Sequence, residues 1–194
     1  MGIPQKIIKF LEGNKAKYEQ ILHRTVYTAF DKAATLKVKP KIVGKTLVVK
    51  LDKKPAIVLI PANKNLDSKI LIYLKSKLEM KAKPSSTKQK LRKIAKAKTV
   101  DASTGSASTL SSCRRVDFVK EVWMKKNLKG VKVGAIPPFG NLWRLPTFVE
   151  KSLLQNPKII VNGGDYNWSI KISPAVLKKI IPNLVVGSFS QSRK

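Results

Sequence analysis

The sequence predicts an α+β fold: one domain in which a mixed β-sheet is flanked by helices, with a basic flexible insertion near the middle. Three observations carry this. Apolar runs with strand character, within 41–51, 55–61 and 158–172, are bounded by Pro and Gly. Amphipathic runs of helical spacing interleave with them without a βαβ rhythm, which disfavours a doubly wound sheet. The chain has 194 residues and is 43% apolar, enough for one core and too much for global disorder. The expected domain spans residues 1–186, with 82–113 as the insertion and 187–194 as a polar, frayed tail.

Taken in order, Pro4 to Glu12 reads as an amphipathic helix with Ile7, Ile8 and Leu11 on one face, stopped by Gly13-Asn14. Tyr18 to Val26 reads as extended and Thr28 to Leu36 as helical. Lys41 to Leu51 is a strand, and Pro55 to Pro61 a second one. Asn63 to Asp67 is a turn whose Asp67 caps a helix from Ser68 to Leu78. From Lys81 to Lys98 there are eight basic residues and no acidic one, then a Ser, Thr, Ala and Gly tract to Ser112. Val116 to Leu128 reads as a helix with Val119, Val122 and Trp123 inward. Val131 to Val133, Phe148 to Ser152, Lys158 to Asn162 and Trp168 to Ile172 read as strands, with Gly163-Gly164-Asp165 as a turn. Ser173 caps a last helix that has Pro174 at its first position.

Forty Lys and Arg against eleven Asp and Glu give a formal charge of +29. Such an excess points to a polyanionic partner, most naturally nucleic acid, because neutralising phosphates releases counterions. An anionic membrane surface and charge-driven solubility are the plainer alternatives. No apolar run approaches the roughly 18 residues a membrane span needs. The N-terminus lacks the apolar centre of a signal peptide, so a cytoplasmic address is expected. One His and one Cys cannot make a usual zinc site, so no metal is expected. There is no Gly-x-Ser-x-Gly elbow and no phosphate-binding Gly-x-x-x-x-Gly-Lys-Ser/Thr loop. Cys113, beside Arg114 and Arg115, reads as a free loop thiol or as one whose pKa the arginines lower.

Lys45 stands apart from the other lysines. Side chains alternate across a strand, so it shares a face with Val43, Leu47 and Val49. A lysine there either meets an anion or lines a pocket, or else snorkels to water from an edge. Gly44 beside it suits close approach of a ligand. The second feature is the loop Gly134-Ala135-Ile136-Pro137-Pro138-Phe139-Gly140, whose glycines admit a ligand and whose prolines fix its shape. It is either a holder of free N–H groups toward a developing oxyanion or a rigid turn. Asn162-Gly163-Gly164 reads as a hairpin turn or as a pocket wall, and His23 as a packing residue or a substrate contact.

In order and spacing, these segments resemble the YbaK/ProX family of aminoacyl-tRNA deacylases, related to the editing domain of bacterial prolyl-tRNA synthetases. The likeness is carried by Tyr18 and His23 to Ala29, Lys45 to Val49, Val58 to Ala62 and Leu66-Asp67. It continues through Gly134 to Gly140, Leu145-Pro146-Thr147 and Asn162-Gly163-Gly164, and skips the insertion. It implies a mixed α/β domain that hydrolyses the ester between an amino acid and the terminal ribose of tRNA. No metal, no cofactor and no covalent nucleophile are implied. Lys45 and Gly134 take the catalytic positions. His23, Thr25, Tyr27, Thr46, Ala135, Ile136, Pro137, Pro138, Asn162, Gly163 and Gly164 take substrate-binding ones. Glu150 stands where the family often has Asp, and Ser169 where some members have an acid.

The expected function is therefore trans-editing of mischarged tRNA. The partner is the aminoacylated acceptor end of tRNA, with an aminoacyl-tRNA synthetase as a second partner, no membrane contact and a monomeric state. In the expected mechanism Lys45 anchors substrate, backbone amides in the loop from Gly134 to Pro138 stabilise charge on the carbonyl oxygen or position the attacking water, and a ribose hydroxyl helps activate that water. The rivals are a non-catalytic tRNA- or synthetase-binding module of the same fold and a structural protein of an RNA assembly.

Overall fold

The structure, a computed structural model, describes residues 2–52, 54–69 and 115–193. The expected helix from Ser68 to Leu78, the insertion and Cys113 lie wholly or mostly outside these residues. Within them are four α-helices: α1 (Gln5–Gly13), α2 (Ala29–Thr35), α3 (Glu121–Asn127) and α4 (Pro174–Ile180). The strands are β1 (Tyr18–Leu22), β2 (Gly44–Leu51), β3 (Lys54–Pro61), β4 (Lys64–Leu66), β5 (Val116–Phe118), β6 (Thr147–Glu150), β7 (Ile159–Asp165), β8 (Trp168–Ile172), β9 (Leu184–Gly187) and β10 (Ser190–Ser192).

Five strands form a mixed sheet in the order β5-β2-β3-β6-β9. β2 pairs antiparallel with β3 and β5, whereas β3–β6 and β6–β9 are parallel. The α+β expectation thus holds. β3 is buried on both faces, as its unbroken run Ala-Ile-Val-Leu-Ile suits. Its Leu59 packs with Ile7 and Leu11 of α1, with β7 and β8, and with Leu177 and Ile180 of α4. Ala56, Val58 and Ile60 face the other way, toward Val49, Phe148 and Phe189. A smaller antiparallel sheet, β1-β8-β7, meets the first through a parallel bridge between Val43 and Ile160.

Several local expectations hold. α1 ends at Asn14, Thr28 caps α2 by accepting from the Asp31 amide, and Ser173 caps α4 by accepting from the Val176 amide. Others give way to tertiary pairing. The helix expected from Val116 begins only at Glu121, because Val116 to Phe118 add to the edge of β2. Val122, expected inward, is exposed, while Val119 and Trp123 pack on Leu128 and Ile136. Among the described residues Val131 to Val133 pair with no strand, and Lys64 to Leu66 form β4 rather than a turn. Gly163-Gly164-Asp165 is no turn either. It belongs to β7 as a bulge, and the chain reverses at Tyr166-Asn167.

The tail beyond Gly187 is not frayed. Phe189 is fully buried, its amide donates to Glu150 Oε2 at 2.8 Å, and its carbonyl accepts from the Asp67 amide at 2.8 Å. β10 then pairs antiparallel with β4. One aromatic side chain with a place in the core outweighs the polar residues around it.

Candidate functional site

A cavity of about 270 Å³ opens where the start of β2 meets the end of β7. It is lined by Val26, Tyr27, Thr28 and Ala29 at the entry to α2, and by Lys32 on that helix. Lys45 and Thr46 of β2, Gly134 and Ala135 of the glycine–proline loop, and Asn162, Asp165 and Tyr166 complete it. The volume lies just under the roughly 300–1,000 Å³ of pockets for drug-sized ligands, which fits an amino-acid-sized group better than a whole nucleotide.

Lys45 is half-buried and donates from Nζ to the Lys64 carbonyl at 2.9 Å. Burial lowers its pKa, and the positive charge of Arg193 lowers it further. An ammonium has three donors, so two remain beyond that bond. Beside it, Thr46 Oγ1 is buried and has no hydrogen-bond partner among the described residues.

The loop serves the cavity with only its first two residues. Gly134 is exposed, with φ +88°, and Ala135 follows at the wall. The Ala135 amide donates to the Lys132 carbonyl at 3.0 Å, so it is not a free donor as expected. The Gly134 amide has no acceptor among the described residues. Ile136, Pro137 and Pro138 are buried and do not line the cavity; Ile136 packs on Val48, Ile57 and Leu128.

Asn162 ties the loop to the sheet. Its Nδ2 donates to the Ile136 carbonyl at 3.2 Å and to the Gly134 carbonyl at 3.4 Å. Its Oδ1 accepts from Lys32 Nζ at 2.5 Å. Lys32, absent from the sequence-based set, is buried, and that burial lowers its pKa to about 8. Asp165 is a second addition. Its partial burial raises its pKa, but hydrogen bonding and charge from Lys132, at 2.9 Å, together with the Asn167 and Tyr166 amides, outweigh this and leave it lowered.

Other expected residues support rather than line. His23 is buried beside the cavity. Its Nδ1 donates to the Arg24 carbonyl at 2.8 Å, so Nε2 accepts from Ser169 Oγ at 2.9 Å, an arrangement that fits a neutral ring. Burial lowers the His23 pKa, the Arg24 carbonyl opposes this, and the Lys32 charge adds to it. Thr25 Oγ1 accepts from Asn167 Nδ2 at 2.9 Å. Gly163 and Gly164 serve packing: a Cβ would sit 2.9 Å from the Trp168 carbonyl oxygen at Gly163 and 2.6 Å from Ile7 Cδ1 at Gly164. Gly44 is the same case, since a Cβ there would meet Leu59 Cδ1 at 2.7 Å and no ligand approach is needed to explain it. Glu150, held by the Phe189 amide, anchors the C-terminus outside the cavity.

A family model described as the aminoacyl-tRNA editing domain matches residues 88–180. The chain is similar to the aminoacyl-tRNA editing domains. The editing-domain match begins inside the segment read as an insertion and does not reach His23 or Lys45. It contains the loop at Gly134 and the Asn162-Gly163-Gly164 segment. It supports an editing role. No curated protein sequence matches significantly. The fold is that of the hypothetical protein APE2540, with a TM-score of 0.65 at 20% identity over 96% of this chain and 99% of that one. It is equally that of a candidate trans-editing enzyme for prolyl tRNA synthetase, with a TM-score of 0.63 at 16% identity over 97% of this chain and 96% of that one. Among the described residues no helix is long and apolar enough to cross a membrane, and no cluster of His, Cys, Asp and Glu has the makings of a metal site.

Proposed function

We propose that the protein is an aminoacyl-tRNA deacylase that hydrolyses the ester of mischarged tRNA in trans, with the 270 Å³ cavity as its active site. The observation that carries this reading is the convergence of Lys45 and the free Gly134 amide on one amino-acid-sized space. Attack of water on the ester carbonyl carbon puts negative charge on the carbonyl oxygen before the bond to the ribose oxygen breaks. Fixed donors and a cation in a small, half-buried site stabilise that charge without reorganising. Lys45 supplies the cation, held in place by its bond to the Lys64 carbonyl. The Gly134 amide donates to the developing oxyanion, and the φ of +88° that turns the chain there is one glycine adopts without strain.

At neutral pH no lining side chain is a free general base, since Lys32, with its pKa lowered to about 8, is still mostly ammonium. Asp165 is neutralised by Lys132, and His23 is engaged at both ring nitrogens. The vicinal ribose hydroxyl of the substrate therefore assists in activating the water. Tyr27, 72% exposed at the rim and edge-on to Tyr166 with ring centroids 5.0 Å apart, offers its face to the terminal base of the acceptor end. The +29 charge holds the phosphates beyond it. The address is the cytoplasm, where such tRNA is made, and a synthetase is a natural second partner.

The experiment is deacylation of a panel of mischarged tRNAs by the wild type and by Lys45→Ala. Turnover by the variant should fall by about 100-fold or more, on the order of what removing one oxyanion donor costs. Binding without turnover by the wild type for every member of the panel would instead assign the chain to the non-catalytic module.

A further inference from the structure

The cavity contains a cation that the proposed hydrolysis does not use. Lys32 comes from the inward face of α2, is 4% exposed and lines the cavity. Its hydrogen bond is to Asn162 Oδ1, which leaves two ammonium donors. Among the described residues no carboxylate pairs with it. Asp31, one residue away in sequence, accepts from the Thr28 hydroxyl at 2.7 Å, and Asp165 pairs with Lys132. Burying an ammonium without an anion is costly, and such groups are normally paired.

The lysine is also aimed. Asn162 spends both amide protons on the Gly134 and Ile136 carbonyls, which leaves only its oxygen to face Lys32. The ammonium is thus fixed before any ligand arrives, as a recognition group should be. Lys45 stands on the same cavity wall system, so the net fixed charge there is positive once Asp165 is matched by Lys132.

We propose that Lys32 is a specificity-determining residue that binds an anionic oxygen of the substrate inside the cavity. This rests on the cavity being the substrate site. Two parts of an aminoacyl-tRNA end carry such an oxygen: the carboxylate of an acidic aminoacyl side chain and the phosphate of the terminal nucleotide. In either case the ammonium gains a charge-assisted hydrogen bond that a neutral isostere cannot make, and it repels cationic side chains of similar size.

The test is binding, which needs no turnover. Wild type and Lys32→Met are titrated calorimetrically with non-hydrolysable amide analogues of 3′-aspartyl- and 3′-asparaginyl-adenosine, alike in shape and different in charge. Each is used with and without a 5′-phosphate. A side-chain carboxylate partner gives the wild type a preference of at least tenfold for aspartyl over asparaginyl, which Lys32→Met abolishes. A phosphate partner gives equal aspartyl and asparaginyl binding, a gain of at least tenfold from the 5′-phosphate, and loss of that gain in Lys32→Met. Equal binding of all four compounds by both proteins overturns the proposal. Should Lys32→Met not fold, the Lys32 Nζ resonance of wild-type protein replaces it: a shift with the charged analogue alone supports the proposal, and no shift with any overturns it. A deacylation panel without turnover would remove the hydrolysis and leave these binding outcomes intact.

Discussion

Replacing Lys32 by Met should change how stability depends on pH more than it changes stability itself. Burial lowers the Lys32 pKa from its ordinary 10.5 to about 8 in the folded chain. Between these two values the unfolded chain binds more protons than the folded one, so wild-type stability rises with pH across the window from about 8 to 10.5. At about 1.4 kcal/mol per pH unit between them, the lowered pKa costs the fold ~3 kcal/mol at pH 7, where the buried group is an ammonium, and ~1 kcal/mol at pH 10, where it is a neutral amine. Methionine keeps the unbranched length and removes the charge. It also deprives Asn162 Oδ1 of its donor, which takes back ~1–3 kcal/mol, so the net gain at pH 7 is between ~0 and ~2 kcal/mol. That offset does not vary with pH. The advantage of Lys32→Met over wild type should therefore shrink by ~2 kcal/mol between pH 7 and pH 10, read by urea unfolding at fixed pH. A difference that stays constant would mean that the ammonium is already matched by an anion in the free protein, and the reasoning from an unpaired buried cation would fail.

Other perturbations test the rest of the architecture. Gly164→Ala forces an alanine to φ +92° and its Cβ against Ile7; a loss of about 1–3 kcal/mol in urea unfolding is expected, and an unchanged midpoint would show that α1 does not press on the bulge. Phe189→Ala empties a fully buried site and should cost about 3–5 kcal/mol; a loss under ~1 kcal/mol would return the C-terminus to the frayed state. Tyr27→Ala should weaken binding of an aminoacyl-adenosine analogue by about 1–3 kcal/mol, since one base loses its stacking face, while leaving the melting temperature within a few degrees. Equal affinity in calorimetry would place the base elsewhere.

The sequence revealed the sheet better than the junctions. β2 and β3 were legible because each is a long apolar run and β3 is buried on both faces. β5 was not, because Val116-Asp117-Phe118 flows into a helical pattern and only its partner across β2 decides the matter. At Gly44, Gly163 and Gly164 a Cβ would meet another part of the same chain at 2.7, 2.9 and 2.6 Å, so packing alone accounts for a small residue there. A glycine's spacing reports that something comes close and does not report what. The same holds for Pro137 and Pro138: they shape the loop from within the core, while the cavity sees Gly134 and Ala135.

Lys32 is the instructive omission, because the sequence held the signal. Lys45 is conspicuous as a lysine on the apolar face of a strand. The equivalent test on a helix uses the spacing i, i+3, i+4, i+7, and Ala29, Lys32, Ala33 and Leu36 satisfy it. Ala29, Ala33 and Leu36 do pack together against Val43 and Ile160, and Lys32 shares their stripe. Among forty basic residues a buried one is invisible by count and conspicuous by phase. Both lysines break the pattern of their own element, one with period two and one with period 3.6, and the fold brings both to one cavity. That convergence is the strongest argument that the cavity is built for a substrate bearing negative charge. A merely structural cleft would gain nothing from holding one buried and one half-buried cation without a carboxylate partner among the described residues.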